Sequence, residues 1–234
     1  MKIAIILQAR MGSQRLPEKI LKELQGIPLL CYGIRRLKKI GREIPLIVAT
    51  STLPQDDRVE DLANSERVLC FRGSEDDVLE RFYGAAIKFE VELIIRATGD
   101  NPLVDTEEAE RVGEEINSGR WDYVSGFEQV NGQSLPIGAG VEAFTFSTLE
   151  LIRQKGLKQE YREHINDYVF DNPGQFRVKK LPCLSRNNCP DLRLTVDTIE
   201  DFEFIERIGR EINIPLVDCT TKDIIDWWAS SRNA

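Results

Sequence analysis

The 234-residue sequence has no apolar run near the roughly 20 residues that a membrane span requires, so none is expected. It has no CxxC pair. Its five cysteines (Cys31, Cys70, Cys183, Cys189 and Cys219) are odd in number and scattered, which reads as reduced thiols in a cytoplasmic protein. Cys183 and Cys189 are near enough in sequence to pair or to hold a metal. The chain's one histidine, His164, leaves too few partners for a zinc set, and neither outcome is expected. Basic runs are missing too: 31 Lys and Arg stand against 39 Asp and Glu, a net charge of −8. Duplex nucleic acid, whose binding rests on a cationic surface, is therefore not an expected partner. No internal repeat or low-complexity tract interrupts the chain. The short apolar run at the N-terminus is followed by no small-residue cleavage site and is expected to be a first strand, not a signal peptide.

With 41% apolar and 30% charged residues, the composition is that of a soluble globular protein, a single domain over 1–234 or one with a small appendage. The run KIAIIL at 2–7 is continuous, apolar and rich in β-branched residues, as a strand buried on both faces would be. Further strand-like runs fall at 46–49, 68–71, 92–96, 122–126, 141–146, 177–181 and 192–196. Helical stretches are expected at 29–40, 57–64, 106–118, 160–170 and 202–213. Another helix opens at the acidic segment 74–77, another is capped by Ser147, and a last one runs from Thr220 through Trp227 and Trp228. This alternation predicts an α/β fold: a doubly wound, mainly parallel sheet with helices on both faces. The segment 130–140 is Gly-, Ser- and Pro-containing and lacks periodicity, so a loop or hairpin tip is expected there. The region 127–190 is the best candidate for a small β-containing extension. The paired tryptophans are expected to clamp onto the sheet.

Positive charge is local. The first strand empties into QARMGSQRLPEK, where Arg10, Arg15 and Lys19 lie within ten residues and Gly12 and Ser13 between them. Such a loop can place N–H groups and fixed charge on a phosphate, or it can be a solvated basic loop. It is neither GxGxxG nor GxxxxGK[ST], so dinucleotide and P-loop readings lack their motif. Two aspartates each stand just past a strand-like run: Asp100 in TGDNP and Asp197 in LTVDT. Asp100 could hold a metal or serve a turn, and Asp197 could hold a metal or cap the next helix. His164 lies in a helical stretch directly after the charged Arg162 and Glu163 and suits either packing or a polar ligand.

The block QARMGSxRLPxK resembles the opening motif of the sugar-activating cytidylyltransferases related to spore-coat polysaccharide synthesis protein F. More distantly it is similar to the enzymes that make CMP-sialic acids and CMP-ketodeoxyoctonate. RxTGDxPLxD (Arg96, Thr98, Gly99, Asp100, Pro102, Leu103, Asp105) and TVDTxED (Thr195 to Asp201) match, in order, the family blocks whose aspartates hold the metal. The segment at 48–52 with Asp56 and Asp57 looks like the part that encloses the base. FRGSEDDVLERF at 71–82 resembles the block facing nucleotide and sugar, and Tyr161-Arg162-Glu163-His164 matches a YREH block facing the acceptor. Departures are Asn166-Asp167, where a small polar residue and Pro are more usual, and Ile199, where Pro commonly follows Asp-Thr. Neither removes a charged group.

The resemblance implies that CTP and a sugar or sugar-acid hydroxyl react to give a CMP-sugar and pyrophosphate. Arg10 and Lys19 would neutralise the triphosphate with help from Arg15, and Asp100 and Asp197 would hold Mg²⁺. Leu7, Gln8, Ala9, Arg10, Gly12, Ser13, Arg15, Lys19, Thr50, Ser51, Arg72, Thr98 and Gly99 are the expected nucleotide contacts. Arg162, Glu163 and His164 are the expected acceptor contacts, and a homodimer is expected by the same analogy. Nothing in these residues alone selects cytosine over uracil. A glycosyltransferase on a similar sheet would usually carry an Asp-x-Asp pair where this chain has Asp100-Asn101-Pro102. A nucleotide-binding regulatory module is the non-enzymatic alternative.

Overall fold

Ala4, Ile5, Ile6 and Leu7 are all fully buried, because β1 (Ile3–Gln8) lies inside a seven-stranded sheet with helices on both faces. The computed structural model describes residues 2–41 and 44–232, so the outermost residues of the single domain expected over 1–234 lie outside the described residues. After β1 come a small hairpin, β2 (Glu23–Leu24) and β3 (Ile27–Pro28), then α1 (Leu29–Leu37), β4 (Leu46–Ser51) and α2 (Asp57–Ser65). Next are β5 (Leu69–Gly73), α3 (Val78–Phe89), β6 (Leu93–Thr98), α4 (Thr106–Asn117), β7 (Tyr123–Ser125) and β8 (Glu142–Thr145). The chain ends with α5 (Phe146–Lys155), α6 (Gln159–Glu163), α7 (Ile165–Asp171), β9 (Val178–Lys180), α8 (Ile199–Glu211) and α9 (Thr221–Ser231).

The strand order is β5-β4-β1-β6-β8-β7-β9. All neighbours run parallel except β8, which is antiparallel to both β6 and β7. From β1 the chain first winds outward through β4 to β5, then returns to lay β6 on the other side of β1. The crevice beyond the C-terminal ends of β1 and β6 is thus a topological switch point, where open α/β sheets bind ligands. Gln8 and Thr98 are paired at that edge, and the Gly99 N–H donates to the Gln8 carbonyl at 2.8 Å. A Cβ on Gly99 would come within 3.0 Å of the Ala9 Cβ and 3.2 Å of the Gln8 carbonyl, so glycine lets the two strand ends close together here.

Strand alternation divides the core. Ile5, Leu7, Val48 and Ile95 face α1, α2 and α4, while Ala4, Ile6, Ile47 and Ile94 face α3, α5 and α7. A third cluster lies off the sheet, where Leu24, Tyr32, Leu194, Ile205, Ile208 and Ile224 join the hairpin, α1, α8 and α9. Trp227 and Trp228 pack against this third cluster, with Trp227 5.8 Å from the Phe204 ring of α8, so they clamp α8 and not the sheet. Buried Arg36 ties α1 to this cluster through the carbonyls of Val104, Leu216 and Cys219.

Four local expectations are corrected. The segment 192–196 is not a sheet strand: it makes one isolated bridge, Arg193 to Ile137, and its Val196 N–H turns to the Asp100 carbonyl at 2.8 Å. The helix expected at 160–170 is broken at His164, whose φ of −110° and ψ of 86° lie outside helical space. Thr145, not Ser147, caps α5 by accepting from the Thr148 N–H. The hairpin at 23–28 adds two short strands where only the approach to a helix is expected. Its turn residues Gln25 (φ 53°) and Gly26 (φ 75°) are both left-handed, as a two-residue type I′ turn requires. The region 127–190, expected as a small β-containing extension, supplies β8 and β9 to the main sheet.

Candidate active site

The segments after β1, β6 and residue 194 meet at the switch point, and their charged side chains converge. Lys19, in a single helical turn at Lys19–Leu21, sends its ammonium to three oxygens. These are Asp100 Oδ2 at 3.0 Å, Asp197 Oδ1 at 3.2 Å and the Val196 carbonyl at 2.9 Å. An ammonium has three donors and no acceptor, so every N–H is used. Arg15 reaches the same Asp197 oxygen at 2.8 Å. Arg193 takes the other oxygen of Asp197 at 2.6 Å and Asp201 at 3.0 Å.

The two aspartates are not occupied by local structure. The cap of α4 is Asp105, which accepts from the Glu108 N–H at 2.8 Å. The cap of α8 is Thr198, in a reciprocal box with Asp201. Asp100 lies in the turn after β6, but its carboxylate points to Lys19. Capping and turn formation are therefore served by neighbours, and Asp100 and Asp197 are left to share one cation. Burial opposes the charge on Asp201, but the N–H groups of Asp197 and Thr198 and the Arg193 guanidinium outweigh it. They hold its carboxyl below the usual range.

A cleft of about 1000 Å³ opens around this cluster. Gln8, Ala9, Arg10, Gly12, Ser13, Arg15, Lys19, Thr98, Gly99, Asp100 and Asp197 line it, as do Glu163 and His164. Arg10 donates to the Glu75 carbonyl at 3.1 Å and lies 4.0 Å from Glu163. Five expected contacts fall elsewhere. Leu7 is core. Thr50 and Ser51 are fully buried at the end of β4, where Asp56 accepts from Ser51 and from the Met11 N–H at 2.7 Å, sealing that strand end from the cleft. Arg72 is spent on the carbonyls of Ser51 and Leu53 and on Asp57 and Glu60. Arg162 pairs with Asp77 and Glu80, behind the cleft wall.

Other wall residues have no place in the expected set. Arg96 bonds Glu142, and Glu142 also accepts from Tyr123, a buried network that the Gln8 side chain joins through Arg96 at 3.2 Å. Desolvation, then the Glu142 charge, push the Tyr123 hydroxyl far above its ordinary range, so it stays a neutral donor. Asn101 Oδ1 and Arg81 Nε are buried without partners among the described residues, and both residues line the cleft. Pairing of Arg96 with Glu142 across the β6–β8 register was a recoverable signal, since both residues sit on strand-like runs. The burial of Arg81 left none, because its helix reads as amphipathic.

The arrangement can bind a polyphosphate with its Arg10, Arg15 and Lys19 cations and present two carboxylates beside it. A sequence model described as cytidylyltransferase matches residues 4–224. An uncharacterized protein of Methanocaldococcus jannaschii is 37% identical over 227 residues, covering 97% of this chain and 90% of that one. The spore coat polysaccharide biosynthesis protein SpsF of Bacillus subtilis is 34% identical over 211 residues, covering 88% of this chain and 85% of its own length. The structure of a cytidylyltransferase from Leptospira borgpetersenii superposes with a TM-score of 0.90 at 30% identity, over 100% of this chain and 96% of that one. By sequence model, by relatives and by fold, this chain belongs to the cytidylyltransferase family.

Proposed function

We propose that the chain transfers the cytidylyl group of CTP to a hydroxyl of a sugar or sugar acid, releasing pyrophosphate, in cytoplasmic synthesis of a surface polysaccharide. The observation that carries this reading is the convergence of Asp100 and Asp197, from distant parts of the chain, on the ammonium of Lys19. Two carboxylates already gathered on one cation fit Mg²⁺, which binds through one or two carboxylates and completes its shell with phosphate and water. When bound, Mg²⁺ would neutralise phosphate charge and polarise the α-phosphate.

The chain's own residues do the rest. Arg10, Arg15 and Lys19 bind the triphosphate and offset charge that builds on the departing pyrophosphate. Arg193 and Asp201 fix Asp197 in one orientation. Gln8, Ala9, Gly12 and Ser13 line the nucleotide side of the cleft, while Glu163 and His164 border the acceptor. The acceptor oxygen bonds to the α-phosphorus, the α–β bridging bond breaks and the hydroxyl proton is released. The 127–190 region, which brings Phe127, Pro136 and Ile137 to the cleft mouth, would shape the acceptor site and support a homodimer. Pyrophosphate release from each of four nucleoside triphosphates with a panel of sugars and sugar acids tests this reading. It predicts release with CTP only when metal and acceptor are present. Consumption of a finished nucleotide sugar without pyrophosphate would replace it with a glycosyltransferase.

A further inference from the structure

A second cavity, of about 290 Å³, shares no lining residue with the active cleft. Two helices begin at it. Thr106 and Glu107, the first residues of α4, line the cavity, as do Thr221 and Lys222, the first of α9. The caps Asp105 and Thr220 accept from the third N–H of each helix, that of Glu108 and that of Asp223. The N–H groups of the first two residues of either helix have no acceptor among the described residues. Every helix has such an end, and two further side chains set this cavity apart. The hydroxyl of Thr221 is buried without a hydrogen-bond partner among the described residues, in a residue only 1% exposed. A buried hydroxyl left unpaired costs stability unless a ligand completes it.

The second is Arg36 of α1, 2% exposed, which also lines the cavity. Its Nε and Nη1 are spent on the carbonyls of Val104, Leu216, Val217 and Cys219, while Nη2 makes no hydrogen bond to any described residue. Burial pushes the guanidinium pKa down and the Asp105 charge opposes that, without an ion pair between the two. The carboxylates of the cavity are already engaged. Asp105 accepts at both oxygens, from the Glu108 N–H at 2.8 Å and from the Asn187 amide at 2.9 Å. Glu107 pairs with Arg186, and Asp218 pairs with Lys39 at 2.6 Å. The idle groups are therefore donors: the Thr221 hydroxyl, Arg36 Nη2 and the leading N–H groups of α4 and α9. Donors supplied by three helices suit a compact anion with several acceptor oxygens, and a phosphate group offers more of these than a carboxylate.

We propose that this cavity binds a phosphate group, free or carried on a small ester, at a site separate from the active cleft. Arg36 supplies fixed charge, Thr221 its hydroxyl and the start of α9 its N–H groups. The exposed ammonium groups of Lys39 and Lys222 add positive charge to the wall. The site stands apart from whatever substrate the active cleft takes.

The test is an NMR titration of the isotope-labelled protein with inorganic phosphate, pyrophosphate and glycerol phosphate. It is read at the backbone amides of positions 221 and 222, which report this cavity and not the cleft. Wild type, Thr221→Val and Thr221→Ser are compared, with sodium chloride at matched ionic strength as the control. Valine keeps the shape and deletes a hydroxyl that has no partner, so the melting temperature without phosphate stays equal or rises. Serine keeps the hydroxyl. In wild type and Thr221→Ser both amides move saturably with at least one of the three anions. Thr221→Val weakens that binding about tenfold or more, the scale of one hydrogen bond to a charged group. The anion bound tightest tells whether the phosphate is free, joined in pyrophosphate or esterified. Amide shifts no larger than those of the chloride control would overturn the proposal, as would equal affinity in Thr221→Val and wild type. A Thr221→Val protein melting well below wild type would overturn it too, because the hydroxyl would then have a partner within the fold.

Discussion

Arg193 grips Asp197 by the one carboxylate oxygen that Lys19 and Arg15 leave alone, at 2.6 Å against 3.2 and 2.8 Å on the opposite oxygen. The carboxylate is thereby held at both oxygens on the wall of the cleft. A ligand carboxylate loses affinity for metal when its orienting partner is removed, by about 10- to 100-fold. Arg193→Met is expected to raise the Mg²⁺ concentration for half-maximal pyrophosphate release by about tenfold, with CTP affinity changed much less. An unaltered metal requirement would show that Asp197 needs no such support.

Asp100→Asn and Asp197→Asn each remove a charge from the shared cation while keeping size and hydrogen bonding. Either change is expected to lower kcat by about 100-fold or more, the scale for losing an electrostatic contact in the transition state. Lys19 retains the Val196 carbonyl and one carboxylate in each variant, so thermal melting should shift by only a few degrees, on the order of 1 kcal/mol.

Beneath the cleft, Arg96 and Glu142 form an ion pair whose side chains are 10% and 2% exposed. Breaking a buried pair from one side leaves a charge uncompensated and costs about 3–5 kcal/mol. Glu142→Ala should lose stability on that scale in urea unfolding. Tyr123→Phe, which only takes a donor from Glu142, should lose about 1–3 kcal/mol.

Acid stability should carry the mark of Asp201, whose carboxyl is held below its ordinary range in the folded protein. A depressed carboxyl contributes stability at pH above the unfolded value of about 4 and loses it as pH falls through the folded value. Wild type should therefore lose stability below about pH 4 more steeply than Asp201→Asn, measured by denaturant unfolding across pH 2 to 7. Parallel curves would show that the Asp201 contacts form without energetic consequence.

The site is partly legible in the sequence. Asp100 and Asp197 stood past apolar runs in blocks that resemble a family's, and the structure brings both to Lys19. The base-side residues were less legible. Thr50 and Ser51 end a strand much as Gln8 does, but Asp56 folds back over them and closes that end, a tertiary contact with no local trace. Arg81 sits in LERF, an ordinary amphipathic pattern, and its burial comes from the tertiary packing around α3. The 192–196 run has the composition of a strand, yet its partners are a loop residue, Ile137, and the Asp100 carbonyl. Apolar periodicity reports burial, not which backbone supplies the hydrogen bonds. The turn at Gln25-Gly26 had a readable sign, the glycine, in a dipeptide less distinctive than Asn-Gly.

The most direct test of the account is the binding of Mn²⁺, as a spectroscopic substitute for Mg²⁺, to wild type, Asp100→Asn and Asp197→Asn with saturating CTP. The account predicts an ion bound with CTP to the wild type and weakened about tenfold or more by either substitution. Equal affinity in all three proteins would contradict it, because the paired carboxylates would then have no part in holding the metal.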